Sequence, residues 1–379
     1  MLKTTEIGEA LSSYGFNFYS GVPCSFLKDL INYAINHCNY ISATNEGDAV
    51  ATCAGAALNG EKTVMLMQNS GLGNTVSPLT SLIYTFKLPI LMFCSLRGEK
   101  GIQDEPQHEL MGEITSSLLK TMNINYAVLN PNINTALKQL DQANFYIEKG
   151  LPFCFIVKKN SFEPHKLERS QLPTKHKETD YNNINTTPLG SRTDALNIIK
   201  KSQPKHAVLL ATTGKTGREL FELGHEPNHF YQVGSMGCIS AIGLGLASSH
   251  KRLPTIVIDG DGAALMRLGS WATNGYYSPN NLCHILLDNE VHDSTGGQDT
   301  ASKAVNFVRL ASSMNYPKAF SVTSFDDLKR RLEEWTNSPQ LTLIHVKINP
   351  GSPKKLGRPT LTPIEVGNQL KQYIKDTHD

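Results

Sequence analysis

The sequence predicts an α/β protein of two doubly wound parallel-sheet domains with no central third domain. Three observations predict it. Short apolar runs alternate with segments of helical period along most of the chain, the pattern of βαβ units. Many of the runs end in Gly, Asn, Asp or Ser, at the sheet edge where open α/β folds bind ligands. The alternation stops over one polar, Pro-punctuated stretch, which reads as a linker. The expected boundaries are a first domain at 1–160, an interdomain linker at 161–190 and a second domain at 191–379.

In the first domain, residues 4–14 have helical period and Gly15 closes them. Residues 16–20 read as a strand, opening into Gly21-Val22-Pro23-Cys24-Ser25 and a helix at 26–36. A short strand at 40–44 ends in Asn45-Glu46-Gly47-Asp48, and the Ala-rich helix 49–58 follows, stopped by Asn59-Gly60. Glu46 therefore falls at a strand end just before a helix, where the helix dipole favours an acid. The strand 63–67 leads to Gln68-Asn69-Ser70-Gly71-Leu72-Gly73-Asn74, whose glycines permit a tight turn or a close approach. A helix through residue 82 and a strand at 89–95 come next. The following loop carries Arg97, Gly98, Glu99, Lys100 and Gly101, then Asp104-Glu105-Pro106-Gln107-His108. A helix at 133–149 and a strand at 152–157 complete the domain.

The second domain opens with a helix at 192–201 and a strand at 206–212. Thr213-Gly214-Lys215-Thr216-Gly217 and a helix at 218–223 follow. The full GxxxxGK[ST] pattern is absent, which excludes a nucleotide triphosphatase of that type. A strand at 230–233 leads to Gly234-Ser235-Met236-Gly237 and a helix at 239–249, where Gly243 and Gly245 allow close packing. An apolar run then ends in Asp259-Gly260-Asp261-Gly262, a helix spans 263–277, and the strand 284–287 ends in Asp288-Asn289-Glu290. A right-handed crossover sets Asp261 and Asn289 together at the carboxyl ends of two parallel strands. A carboxylate and an amide oxygen suit Mg²⁺ or Ca²⁺. A Gly-rich turn entering a helix offers N–H groups to phosphate. Together they describe a metal-bridged diphosphate site. Helices at 304–311 and 325–335 alternate with strands at 319–322 and 341–348, before the basic tail Lys354 to Arg358.

Composition limits the function classes. The 379 residues suffice for two domains, and 40% apolar with 18% charged residues is globular. A net charge of +2 implies no nucleic acid partner. No apolar run is long enough to span a membrane. The seven cysteines are scattered without a CxxC pair, and residues 1–11 lack the apolar core of a signal peptide, so a reduced, cytoplasmic setting is expected.

The GDG turn, about two dozen residues and then an Asn-containing pair resemble the motif of thiamine diphosphate-dependent decarboxylases. The resemblance implies the thiamine diphosphate-binding fold, with a pyrimidine-binding domain first and a diphosphate-binding domain second. It implies Mg²⁺ held by Asp261, Asn289 and the main-chain carbonyl of Val291, with Gly260, Gly262 and Ala263 beside the cofactor. It gives Glu46 the role of bonding a ring nitrogen of the aminopyrimidine. It places the Gly234 carbonyl, Ser235 and a Met236 wedge against the bent cofactor. A homo-oligomer, at least a dimer with sites between subunits, is also implied. Segments 21–25, 68–74, 97–99, 104–108, 234–237 and 292–298 resemble a short subgroup that decarboxylates phosphonopyruvate, with sulfopyruvate decarboxylases as relatives. A single chain and the 104–108 segment favour the phosphonate. The expected substrate is thus a small anionic 2-keto acid. Arg97 is the first candidate for its anionic group, with Lys100, Ser25, Asn69, Ser70 and Gly71 next. His108 and His292 are candidates for proton transfer. A carboligating synthase and a non-catalytic cofactor-binding subunit are the competing classes.

Overall fold

Each of two units of the chain, Met1–Pro173 and Thr174–Asp379, is built on one parallel sheet. The structure, a computed structural model, describes residues 1–168 and 179–378.

The first unit contains β1 (Phe16–Gly21), β2 (Asn39–Ser42), β3 (Lys62–Gln68), β4 (Leu91–Ser95), β5 (Asn125–Val128) and β6 (Phe153–Val157). Their order across the sheet is β2-β1-β3-β4-β6-β5, and every pairing is parallel. The helices are α1 (Thr4–Ser13), α2 (Lys28–His37), α3 (Glu46–Leu58), α4 (Leu72–Pro78), the short α5 (Tyr84–Phe86), α6 (Glu109–Thr121) and α7 (Ile133–Glu148). Strands β3, β4 and β6 are almost wholly buried, which is why they read as continuous apolar runs rather than alternations. Helix α3 is lined by Ala, Gly and Thr and is buried throughout its length after Glu46. Small side chains let it lie close against β1 and β3.

The second unit contains β7 (Asp180–Tyr181), β8 (Val208–Ala211), β9 (His229–Tyr231), β10 (Thr255–Gly260), β11 (Leu282–Asp288), β12 (Val291–His292), β13 (Gln298–Asp299), β14 (Lys318–Ser321) and β15 (Thr342–Lys347). Its main sheet runs β7-β14-β15-β11-β10-β8-β9, again parallel, while β12 and β13 form a small antiparallel hairpin. The helices are α8 (Arg192–Ser202), α9 (Lys215–Glu222), α10 (Ile239–Ser249), α11 (Asp261–Met266), α12 (Gly269–Tyr277), α13 (Phe307–Ser313), α14 (Phe325–Asn337) and α15 (Pro363–His378). The chain leaves β8 toward β9 on one side, then returns to build β10, β11 and β15 on the other. The carboxyl ends of β8 and β10 therefore flank the switch point where open sheets leave a crevice.

The structure corrects several expected elements. Glu46 opens helix α3 rather than preceding it, because the Asn45 side chain caps the helix by accepting from the Gly47 N–H at 2.8 Å. The helix expected over 263–277 is broken at Arg267–Leu268 into α11 and α12. Helices α6 and α15 and strands β5 and β7 were not expected. In the linker span, residues 169–178 lie outside the described residues. Residues on its flanks are fastened to the units. Leu2 bridges Phe162, and the His165 N–H donates to Asp29 at 2.9 Å. On the other flank β7 pairs with β14. Among the described residues, two parallel-sheet units are present and no third, and no helix is long and apolar enough to cross a membrane.

Candidate active site

The crevice in the second unit is lined by Thr212, Thr213, Gly214 and Lys215 after β8, Asp261, Gly262 and Ala263 after β10, and Asn289 and Val291 to Ser294 after β11, with Arg192, Met236 and Gly260. Strands β10 and β11 pair in register up to Gly260 opposite Leu287, so Asp261 and Asn289 emerge side by side. The expected ligand pair is thus brought together by the sheet itself.

Asp261 is the first residue of α11 and almost fully buried. Burial pushes its carboxyl above the ordinary carboxylate value, opposed by the Thr300 hydroxyl that donates to it, while nearby Asp288 raises it further. Among the described residues no Lys or Arg pairs with it. A buried carboxylate without a basic partner is costly unless a cation sits beside it. Asn289 donates through Nδ2 to Asp293 at 2.6 Å, and its Oδ1 accepts a long bond from the Val291 N–H at 3.3 Å. That leaves Oδ1 with capacity for a metal. Among the described residues no three His, Cys, Asp or Glu side chains cluster as a metal site. A set of one carboxylate, one amide and one carbonyl fits a hard cation that keeps phosphate and water ligands, as Mg²⁺ does.

The other half of the crevice fits an anion. Gly214, at φ +98°, turns the chain into α9 so that the helix N-terminus borders the crevice. The buried Thr212 Oγ1, on the crevice lining, has no hydrogen-bond partner among the described residues. Thr212, Thr213 and Lys215 were missed as site residues because the segment failed the phosphate-loop pattern. The usable signal was simpler: an apolar strand, a glycine and a helix start. Met236 lines the same crevice, in a turn with Gly234 at φ +67° and Ser235 at φ +44°. Gly234 and Ser235 are not among the lining residues. His292 lines it too, with its ring against Gly262, where a Cβ would fall 2.5 Å from Cε1.

In the first unit, Glu46 is partly buried, and its Oε2 accepts from Asn74 Nδ2 at 2.8 Å. Its other oxygen lies over Gly71, where a Cβ would stand 2.1 Å from Oε1. Gly71 thus makes room for the Glu46 carboxyl. Asn69 is fully buried and holds the end of β4: it donates to the Arg97 carbonyl at 2.9 Å and to Thr115 at 3.1 Å, and accepts from the Arg97 N–H. Its side chain is committed to the scaffold rather than free for a ligand. Arg97 is paired in bidentate fashion with Asp104, stacks over Phe26 at 4.9 Å, and turns Nη1 toward Ser25 Oγ at 3.4 Å. The structure brings Arg97 and Ser25 together, but with the guanidinium charge balanced by Asp104. Ser70 is exposed and bonded by Gln68. Lys100 is exposed on the rim of a separate cavity shared with Glu99, Asp104, Glu105, Glu109 and Glu113, an acidic lining that repels a phosphonate. His108 is buried, with Nδ1 unpartnered among the described residues.

The description "Thiamine pyrophosphate enzyme, C-terminal TPP binding domain" matches residues 213–346. A phosphonopyruvate decarboxylase of Streptomyces viridochromogenes is 38% identical over 99% of this chain and 95% of its own length. A sulfopyruvate decarboxylase of Methanosarcina acetivorans is 27% identical over 97% of both. Among solved structures, a benzoylformate decarboxylase from Polynucleobacter necessarius superposes with a TM-score of 0.73 over 95% of this chain and all of that one, at 13% identity.

Proposed function

The chain belongs to the phosphonopyruvate decarboxylase family of thiamine diphosphate enzymes, and we propose from that premise that it converts 3-phosphonopyruvate to phosphonoacetaldehyde and CO₂. The observation that carries this reading is the crevice at the β8/β10 switch point, where a cation-ready pair, Asp261 and Asn289, faces the amino end of α9. Thiamine diphosphate, when bound, supplies the sink for the electron pair that the departing carboxylate leaves behind.

The residues divide the remaining work. Asp261, Asn289 and the Val291 carbonyl would hold Mg²⁺, and Thr212 with the start of α9 would donate to the diphosphate. Glu46, anchored on one oxygen by Asn74, would hold a pyrimidine nitrogen and control its proton. His292, which lines the crevice, and His108 are the two candidates for a proton transfer. The Nη1 edge of Arg97 and the Ser25 hydroxyl would orient the phosphonate by directed hydrogen bonds rather than by net charge. Glu46 and Asp261 belong to different units of the chain, and the family places the two cofactor ends on different subunits. A homo-oligomer, at least a dimer, is part of the proposal, as is a cytoplasmic setting, which the seven free thiols support. Such an enzyme serves phosphonate biosynthesis by consuming an unfavourably formed keto acid.

The test offers purified protein, thiamine diphosphate and Mg²⁺ with phosphonopyruvate, sulfopyruvate and pyruvate side by side. Aldehyde and CO₂ in equal amounts, fastest from phosphonopyruvate, are expected. Preference for sulfopyruvate, or a carboligated acid as product, overturns the assignment.

A further inference from the structure

Asn289 can serve a cation in only one of its two amide orientations. With Oδ1 toward the crevice it is a ligand; flipped, it presents an NH₂ group that repels the metal. Rotation about the Cβ–Cγ bond, which swaps the amide oxygen and nitrogen, is soft, so something must set the choice.

The structure supplies a chain of charges, two of its three members buried, that sets it. Asp293 takes the Asn289 Nδ2 at 2.6 Å on Oδ2. A carboxylate only accepts, so the amide nitrogen must face it. Asp293 is itself immobilised: Arg192 donates to the same Oδ2 at 2.5 Å, and the Gly351 N–H donates to Oδ1 at 3.0 Å. Arg192 is in turn held by Glu219 at 2.7 Å, whose second oxygen accepts from Thr193. Arg192 and Glu219 are buried. Arg192 owes its place to the capping box of Ser191 and Asp194, which fixes it as the first residue of α8.

We propose that Arg192 and Asp293 are positioning residues for the divalent cation: the Glu219–Arg192–Asp293 chain locks the Asn289 amide with its oxygen toward the metal. Two further features support the role. Glu219 lies on α9, whose amino end borders the crevice, so one network ties the phosphate side to the metal side. The chain of one guanidinium and two carboxylates also carries one net negative charge, with Arg192 and Glu219 buried and Asp293 half-buried on the crevice wall, beside the place where a divalent cation is expected. With two of its three members buried, it is screened less than a surface arrangement of the same groups. Both residues line the crevice, and the role assigned to them is to orient Asn289 rather than to ligate. The role rests on the assignment of Asp261 and Asn289 as metal ligands.

The experiment titrates Mg²⁺ calorimetrically into full-length protein containing thiamine diphosphate, and records the melting temperature of the cofactor-free protein in parallel. Asp293→Asn keeps the shape but places an NH₂ group where an acceptor is needed. Its Mg²⁺ dissociation constant should rise by about 10–100-fold, the usual effect of removing a partner that orients a metal ligand. Arg192→Lys keeps the charge but not the fork that spans Glu219 and Asp293, and should weaken Mg²⁺ binding by a smaller factor, clearly above twofold. A merely structural role lowers the melting temperature but leaves the affinity of the folded molecules alone. Mg²⁺ affinities within twofold of wild type in whichever variants fold overturn the proposal. Asp261→Ala separates the two levels. If it abolishes Mg²⁺ binding while the two network variants bind normally, only the positioning role fails. If it also binds normally, the cation site itself is misplaced and the positioning role falls with it.

Discussion

Gly71→Ala is expected to disable the enzyme through a residue it does not replace. The added methyl would stand 2.1 Å from Glu46 Oε1, 2.3 Å from Cδ and 2.5 Å from Cγ. Ordinary carbon contacts lie near 3.5–4.0 Å, so the Glu46 side chain must move by more than about 1 Å. Such a shift also breaks the 2.8 Å bond from Asn74, since hydrogen bonds weaken steeply beyond their normal range. Misplacing a reacting group by about 1 Å costs on the order of 10²-fold in rate, close to 3 kcal/mol of transition-state stabilisation. Overpacking adds roughly 1–3 kcal/mol of lost stability, which a melting curve records separately.

The assay is kcat/KM at saturating thiamine diphosphate and Mg²⁺, measured in a double-mutant cycle with Glu46→Gln. The Gln variant alone should lose roughly 10²–10⁴-fold, the range of general acid–base help. In that background Gly71→Ala should cost little more, because the group it displaces no longer functions. Two results refute the reasoning. One is Gly71→Ala activity within threefold of wild type. The other is the same 10²-fold loss with and without the Glu46 carboxyl.

Three more outcomes are expected. Asp261→Ala should abolish Mg²⁺-dependent cofactor binding by calorimetry, since the diphosphate would face an uncompensated site; retained binding rejects the metal assignment. Arg97→Ala should lower kcat/KM for phosphonopyruvate by about 2–4 kcal/mol while scarcely changing slow pyruvate turnover; equal losses would assign Arg97 to the scaffold through Asp104. His229 is buried beneath Tyr231, and burial, the largest cause, lowers its pKa to about 4. The folded chain therefore resists a proton that the unfolded chain accepts near pH 6.5. Stability is intact above that pH and falls by roughly 3 kcal/mol as pH drops to 4. His229→Leu should flatten that segment of the melting-temperature profile, and an unchanged slope would reject the cause.

Sequence reading succeeded where a local pattern and a long-range contact coincide. Strand β11 is apolar because both of its faces are covered, and Asp288-Asn289 marks where that cover ends at the crevice. The pairing of Asp261 with Asn289 followed because consecutive parallel strands joined by a helix commonly lie side by side with their carboxyl ends at one sheet edge. Where pattern and contact part, the reading failed. Strand β5 alternates half-buried and exposed residues at a sheet edge, and β7 has two residues, too few for any period. Helix α6 begins beside the charged loop 97–108, where a solvated reading masked it. Gly71 was read as conformational freedom, yet its φ is negative in a short helical turn; what matters is the missing side chain, which only the position of Glu46 reveals. The sequence makes Arg97 the first candidate for the substrate's anionic group without showing that Asp104, seven residues on, already pairs with it. The same blindness covers Arg192 and Asp293, which lie 101 residues apart and meet on the crevice wall next to Asn289. A residue type indicates what a side chain can do, and its contacts decide what remains of that capacity. Of the expected ligands, Asn69 has spent its hydrogen bonds on the scaffold, whereas Asp261 and Asn289 keep oxygens with capacity for a cation.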